Sequence, residues 1–263
     1  MERQSFLQRM LNVFLNPTKA FDDIAKNVTW QDWVWPLVLI SVVLALVPRL
    51  YQDIKLSEAL TMIQKQERSI MDNPNVPEDR KADIQKRFDK ARGNILDAKE
   101  NPWKLKYIWG IILFPVYLFV FVSIFAGLLM LIGNFGLGEK ARFFQVFTVV
   151  VLSYYIGGNG AMLQMPEGIG VLETIVKTPL ILAKQSSSVY LSPGLFMENT
   201  TTFLGRFMNQ LDVFRLWSVA VLGIGFAKIY RRPFSTGIWT VGTLWLVLTA
   251  LGAGLSGLIP GAQ

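Results

Sequence analysis

Residues Tyr107 to Ile132 read YIWGIILFPVYLFVFVSIFAGLLMLI, a run with no charged side chain. A hydrocarbon core about 30 Å thick takes about 20 residues of helix to cross, so this stretch is long enough to span a bilayer. It has no polar face at helical spacing, which a helix of a water-soluble bundle would need. Four further apolar runs flank it: Trp33 to Val47, Phe143 to Leu163, Leu211 to Ile229 and Phe234 to Ile259. Tryptophan or tyrosine near several of the run ends, such as Trp30, Trp33, Trp35 and Tyr51 around the first, suits the headgroup layer. The expected fold is therefore all-α, a polytopic five-helix transmembrane bundle. Its bulk composition agrees, with 52% hydrophobic and 17% charged residues and a mean hydropathy of +0.37. The first span lies more than thirty residues in, has no small-residue cleavage site, and reads as an uncleaved signal.

Outside the spans three segments stand out. Residues 1–32 form an amphipathic interfacial segment, in which Phe6, Leu7, Met10, Leu11, Phe14 and Leu15 recur at helical spacing beside Arg3, Gln4, Gln8, Arg9 and Asn12. Asn16 and Pro17 interrupt it, and a second short helix carries Phe21 and Ile24. Such a helix near a span is expected at the membrane surface. After the first span (33–51), residues 52–106 read as a charged helical hairpin. From Arg49 to Lys106 there are thirteen Lys/Arg and ten Asp/Glu, while Leu56, Leu60, Ile63 and Ile70, then Ile84, Phe88, Ala91 and Ile95, keep heptad-like steps. Asn73 to Pro77 supplies the turn. Leu60, Ile63, Ile84 and Phe88 are the candidate partner contacts. The alternating charges form no basic stripe, which argues against nucleic acid.

The second span (107–133) and third span (143–163) lead to Gly157, Gly158 and Gly160, a candidate hinge. Residues 164–210 read as an interfacial or re-entrant segment and loop; Glu173, Lys177 and Pro179 make Val171 to Ala183 too polar and too short to span. Asn199 to Thr201 and Asn27 to Thr29 match the glycosylation pattern, which arises often by chance. The fourth span (211–229) opens with Asp212 and Arg215, three apart on one helix face. Ionisable groups at membrane depth mark a functional site or a pair that locks helix position. The fifth span covers 234–259. Gly223 with Ala227, Ala250 with Gly254, and similar small pairs allow close helix packing.

Function is less legible. With no histidine and no cysteine, no phosphate loop, nucleophile elbow or metal-spaced acid cluster, the chain offers no catalytic, cofactor-binding or metal-ligating set. A non-catalytic membrane protein that binds other membrane proteins is the first reading. A small transporter or channel using a polar path near Asp212 and Arg215 is the second.

The stretch LDVFRLWSVAVLGIG (Leu211 to Gly225), the Arg231–Arg232 turn after it, the five-span layout and FLNPTKAFDDIAKNVTWQDWVWPLVL (Phe14 to Leu39) resemble the Yip family, the Ypt/Rab-interacting membrane proteins, in its bacterial form. The resemblance covers the N-terminal entry and the spans; the hairpin and Gln164 to Gln210 look like additions. It implies a five-helix bundle with the N-terminus in the cytoplasm and the C-terminus outside, in a bacterial inner membrane, with some members accompanying transport machinery. Eukaryotic relatives bind prenylated Rab GTPases, but the long polar N-terminal region and loop signatures that go with that binding have no counterpart here. Charge favours the same orientation: nine basics (Arg3, Arg9, Lys19, Lys26, Lys140, Arg142, Lys228, Arg231, Arg232) fall on the N-terminal side, against Lys177, Lys184 and Arg206 in the second external loop. The hairpin, near the length at which this rule stops discriminating, adds thirteen basics to the other side.

Overall fold

The computed structural model describes residues 4–158, 170–187, 189–197 and 202–255. Among them every regular element is helical. The chain divides into two compact units, one built from residues 1–44, 115–176 and 190–263, the other from 45–114 and 177–189.

The first unit is organised around α10 (Val213–Ile229), which buries most of its circumference, Phe214, Ser218, Val221, Leu222 and Phe226 among others, and leaves Val213, Leu216 and Trp217 exposed along one edge. A helix with so wide an apolar face belongs largely in an interior. Against it lies α11 (Phe234–Leu255), reached through a turn in which Arg231 takes φ 48° and Arg232 donates its backbone N–H to the carbonyl of Ala227 at 2.9 Å. The two backbones nearly touch: a Cβ on Gly237 would stand 2.2 Å from the carbonyl oxygen of Gly223. That is the close packing the small residues of these spans predict.

Helix α7 (Phe143–Ser153) also packs on α10, and every residue from Val146 to Ser153 is buried. It is the largest departure from the expected layout. The third span was expected to run to residue 163, but the helix ends at Ser153 and Tyr154 to Ile156 form turns; residues 159–163 lie outside the described part. At 1.5 Å per residue α7 is about 16 Å long, half a hydrocarbon core.

Helices α1 (Phe6–Leu15) and α2 (Pro17–Lys26) form a hairpin laid along α7 and α10. Ser5 caps α1 in a capping box with Gln8, and Asn16 with Pro17 starts α2. Gln145 at the start of α7 donates to the Ala25 carbonyl at 2.6 Å, and Phe14 meets Tyr155 edge-on just beyond its end. Hence α2 runs antiparallel to α7 and buries Ala20, Phe21 and Ile24.

Three helical stretches among the described residues are long and apolar enough to cross a membrane: Gln31–Met71, Leu105–Gly136 and Phe234–Leu255. The first comprises α3 (Gln31–Leu46), a 3-10 turn (Val47–Tyr51) and α4 (Gln52–Met71); the second is α6 (Leu105–Gly136). Helices α3 and α6 each pass from one unit to the other.

In the second unit α4 packs against α5 (Glu78–Glu100), with Asn73 to Pro77 in the connection. Arg92 and Gln85 of α5 both reach Glu67 of α4, the latter at 2.7 Å. Asp97 accepts from Lys106 at 2.7 Å, from the Tyr107 hydroxyl at 2.8 Å and from Lys104. The short α8 (Val171–Lys184) begins in the first unit and ends in the second.

Candidate functional site

In the first unit the starts of α8 and α10 converge on the chain that leaves α7. The carbonyls of Tyr155 and Ile156 accept from the amides of Leu172 and Glu173 at 2.9 and 3.1 Å, which satisfies N–H groups that no helical partner can reach. Gly157 then passes against α10: a Cβ there would lie 2.5 Å from the carbonyl of Phe214, and one on Gly170 would lie 2.4 Å from the Gly157 Cα. The stretch expected as a hinge is, at Gly157 and Gly158, a buried close crossing of backbones. Gly160 lies outside the described residues.

Two carboxylates occupy the helix starts at this crossing. Asp212 is the N-cap of α10 and accepts from the Phe214 amide at 3.0 Å. Glu173 sits in the first turn of α8, only 1% exposed, where the Gly158 amide approaches it at 3.4 Å. The positive end of each helix dipole favours a negative charge in that place. Arg215 is buried one turn into α10 and donates to Gln210 at the end of α9 (Phe203–Gln210). Ser218 donates to the carbonyl of Ser153 at 2.8 Å, tying α10 to the end of α7. Asp212 and Arg215, expected on one helix face, are thus both buried, the acid as a cap and the base turned toward α9.

A second charged cluster in the same unit was not anticipated as such. Arg9, 3% exposed, donates through Nε to Asp23 at 2.8 Å and through Nη1 to Asp32 at 2.6 Å and to the Asn27 carbonyl at 3.1 Å. Asp32 also accepts from the backbone and hydroxyl of Thr29 at 2.7 and 2.8 Å. One guanidinium therefore joins α1, α2 and the first turn of α3. At the same end of the unit Lys228 pairs with Asp22 at 3.0 Å, the Tyr230 hydroxyl donates to Asn134 at 2.9 Å, and Arg232 donates to the Leu137 carbonyl.

Sequence reading placed Arg9 on a wet helix face and used Glu173 only as an argument against a span. A carboxylate in the first turn of a largely apolar helix was the one signal that could have marked Glu173. Nothing in the sequence pairs Arg9 with Asp32. In the second unit Leu60, Ile63, Ile84 and Phe88 are all half-buried, and α4 buries none of its residues completely. No group of three His, Cys, Asp or Glu able to hold a metal occurs among the described residues.

The Yip1 domain model matches residues 11–255. The chain belongs to the Yip1 domain family. Neither a curated protein nor a solved structure matches it. The bounds of the family match take in both the hairpin and residues 164–210. Together with the three apolar helices the match makes this Yip1 domain protein an integral membrane protein. Members of the family are not known as enzymes.

Proposed function

We propose that this Yip1 domain protein is a non-catalytic accessory or scaffold subunit of a bacterial inner membrane, which binds other membrane proteins, transport machinery among them, through its α4–α5 hairpin. The observation that carries the reading is the hairpin's half-open seam. Its heptad-like residues are only half-buried, Ala98 is the one fully buried residue of the two arms, and Met62 and Leu96 are exposed. A two-helix seam of this kind leaves apolar surface that a third helix can cover.

A five-pass arrangement with a cytoplasmic N-terminus is part of the proposal, α7 with the segment after it forming the third pass. Its support is the clustering of Lys26, Arg142, Lys228, Arg231 and Arg232 at the end of the first unit where α1, α2 and the loop before α7 meet.

The test is a photo-crosslinking residue at Met62 or Leu96 in native membranes, beside affinity purification of a variant lacking residues 52–101. Crosslinks to a defined membrane protein that co-purifies with the full chain and is lost with the deletion are expected. Partners retained by the deletion variant would overturn the assignment to the hairpin. Glu173 supports a second reading, transport, because an ion route calls for more than one buried acid and Glu173 stands near Asp212 at the Gly157 crossing. Loss of solute or ion flux in folded Glu173→Gln, Asp212→Asn or Arg215→Gln proteins would favour it.

A further inference from the structure

The apolar side of α1 is divided in the structure. Val13 is buried and Phe6, Met10 and Phe14 are half-buried, while Leu7, Leu11 and Leu15 are 70%, 61% and 81% exposed. Their spacing of four residues puts the three leucines in one line about 12 Å long. The polar residues are divided as well. Ser5 and Gln8 are exposed, but Arg9 faces the protein, held by Asp23 and Asp32. So α1 offers one edge to protein, one to water, and a line of leucines to neither.

We propose that the Leu7, Leu11 and Leu15 edge is inserted in the hydrocarbon of the bilayer, as a continuation of the lipid-facing surface of α3. The Arg9–Asp32 pair pins α1 to the first turn of α3, beside Trp30 and Trp35. Both indoles are exposed, and such rings settle at the membrane–water boundary. Arg9 lies between Leu7 and Leu11 along α1, so the leucine line, on the opposite face, begins at the level of the first turn of α3. The line is also too narrow for a stable protein contact, which buries about 1,200 Å² or more in total. This inference does not depend on the hairpin and stands or falls separately from the scaffold reading.

The chain has no cysteine, so single-site labelling is clean. Leu11→Cys and Gln8→Cys proteins, each carrying an environment-sensitive fluorophore, are placed in nanodiscs of phosphatidylcholine and phosphatidylglycerol. Both sites are exposed; Leu11→Cys disturbs no packing, and Gln8→Cys gives up the bond from the Ser5 amide but keeps the Ser5 hydroxyl as the cap of α1. The Leu11 label is expected to be quenched several-fold more by lipid-borne doxyl groups than by aqueous iodide, and the Gln8 label to show the reverse. Ready quenching of the Leu11 label by iodide would place the stripe in water and overturn the proposal. Shielding from both quenchers would mean that a second copy or another protein covers it, and would overturn it equally.

Discussion

Replacing Arg9 by methionine tests whether the N-terminal hairpin is held by charge. Arg9→Met keeps helix propensity and much of the side-chain volume but removes the contacts to Asp23, Asp32 and the Asn27 carbonyl, 2.6 to 3.1 Å long. Breaking a buried ion pair from one side costs about 3–5 kcal/mol, because the remaining charge stays buried without compensation. Asp32 is 3% exposed but keeps both bonds from Thr29, and the Asp23 side chain is partly open to solvent. The lower end applies, about 3 kcal/mol. In Arg9→Met/Asp32→Asn no formal charge is stranded at Asp32, and the loss should shrink to about 1–2 kcal/mol. The assay is equilibrium unfolding in mixed micelles with increasing denaturing detergent, followed by tryptophan fluorescence, for both single variants and the double. Single variants within about 0.5 kcal/mol of the parent, the range of ordinary surface substitutions, would refute the view that this cluster holds α1 and α2 to α3.

Gly237→Ala should destabilise the α10–α11 pair by about 1–3 kcal/mol, since the added carbon meets the backbone of Gly223 and cannot be relieved by a rotamer; thermal unfolding in detergent reads this. Arg92→Ala breaks the Glu67 pair between the hairpin arms, yet both partners are partly wet, and helicity by circular dichroism should report a loss below about 1 kcal/mol. Glu58 of α4 accepts from the Ser186 hydroxyl at 2.8 Å and from the Ser187 amide at 3.0 Å. Burial raises its carboxyl, but hydrogen bonds from Ser187 and Ser186 outweigh it and hold the group below its ordinary value of 4.5. A depressed folded value means that the tether is intact above pH 4.5 and is lost as the pH falls below that. Amide exchange at Ser187, corrected for intrinsic rates, should therefore be protected at pH 7 and lose protection in acid, and Glu58→Gln should weaken that protection at neutral pH.

The parts of the fold legible in the sequence are those set by local pattern. The charge-free run at Tyr107 to Ile132 lies within α6, the heptad-like steps on either side of Asn73 to Pro77 became two paired helices, and the small residues at Gly223 and Ala227 lie where α10 meets α11. At the third apolar run, pattern alone did not place the helix end. Hydropathy from Phe143 to Leu163 is continuous enough for a span, but the helix stops at Ser153, where backbone carbonyls of the next turn are taken up by the start of α8. Hydropathy measures what a residue prefers to be near, and a buried turn inside protein satisfies that preference as well as a helix in lipid does.

By itself the amino-acid sequence determined that this chain is helical and enters a membrane, because long runs without charge have no other low-energy solvent. It also determined where the hairpin turns, because proline and asparagine act on their own backbone. Only the tertiary structure decided which charges are hidden and which leucines are not. The partner of Arg9 lies 23 residues away at Asp32, and the crossing at Gly157 brings together Gly170 and Phe214. Pairings of that range depend on how whole helices pack, which residue spacing along a single helix does not encode.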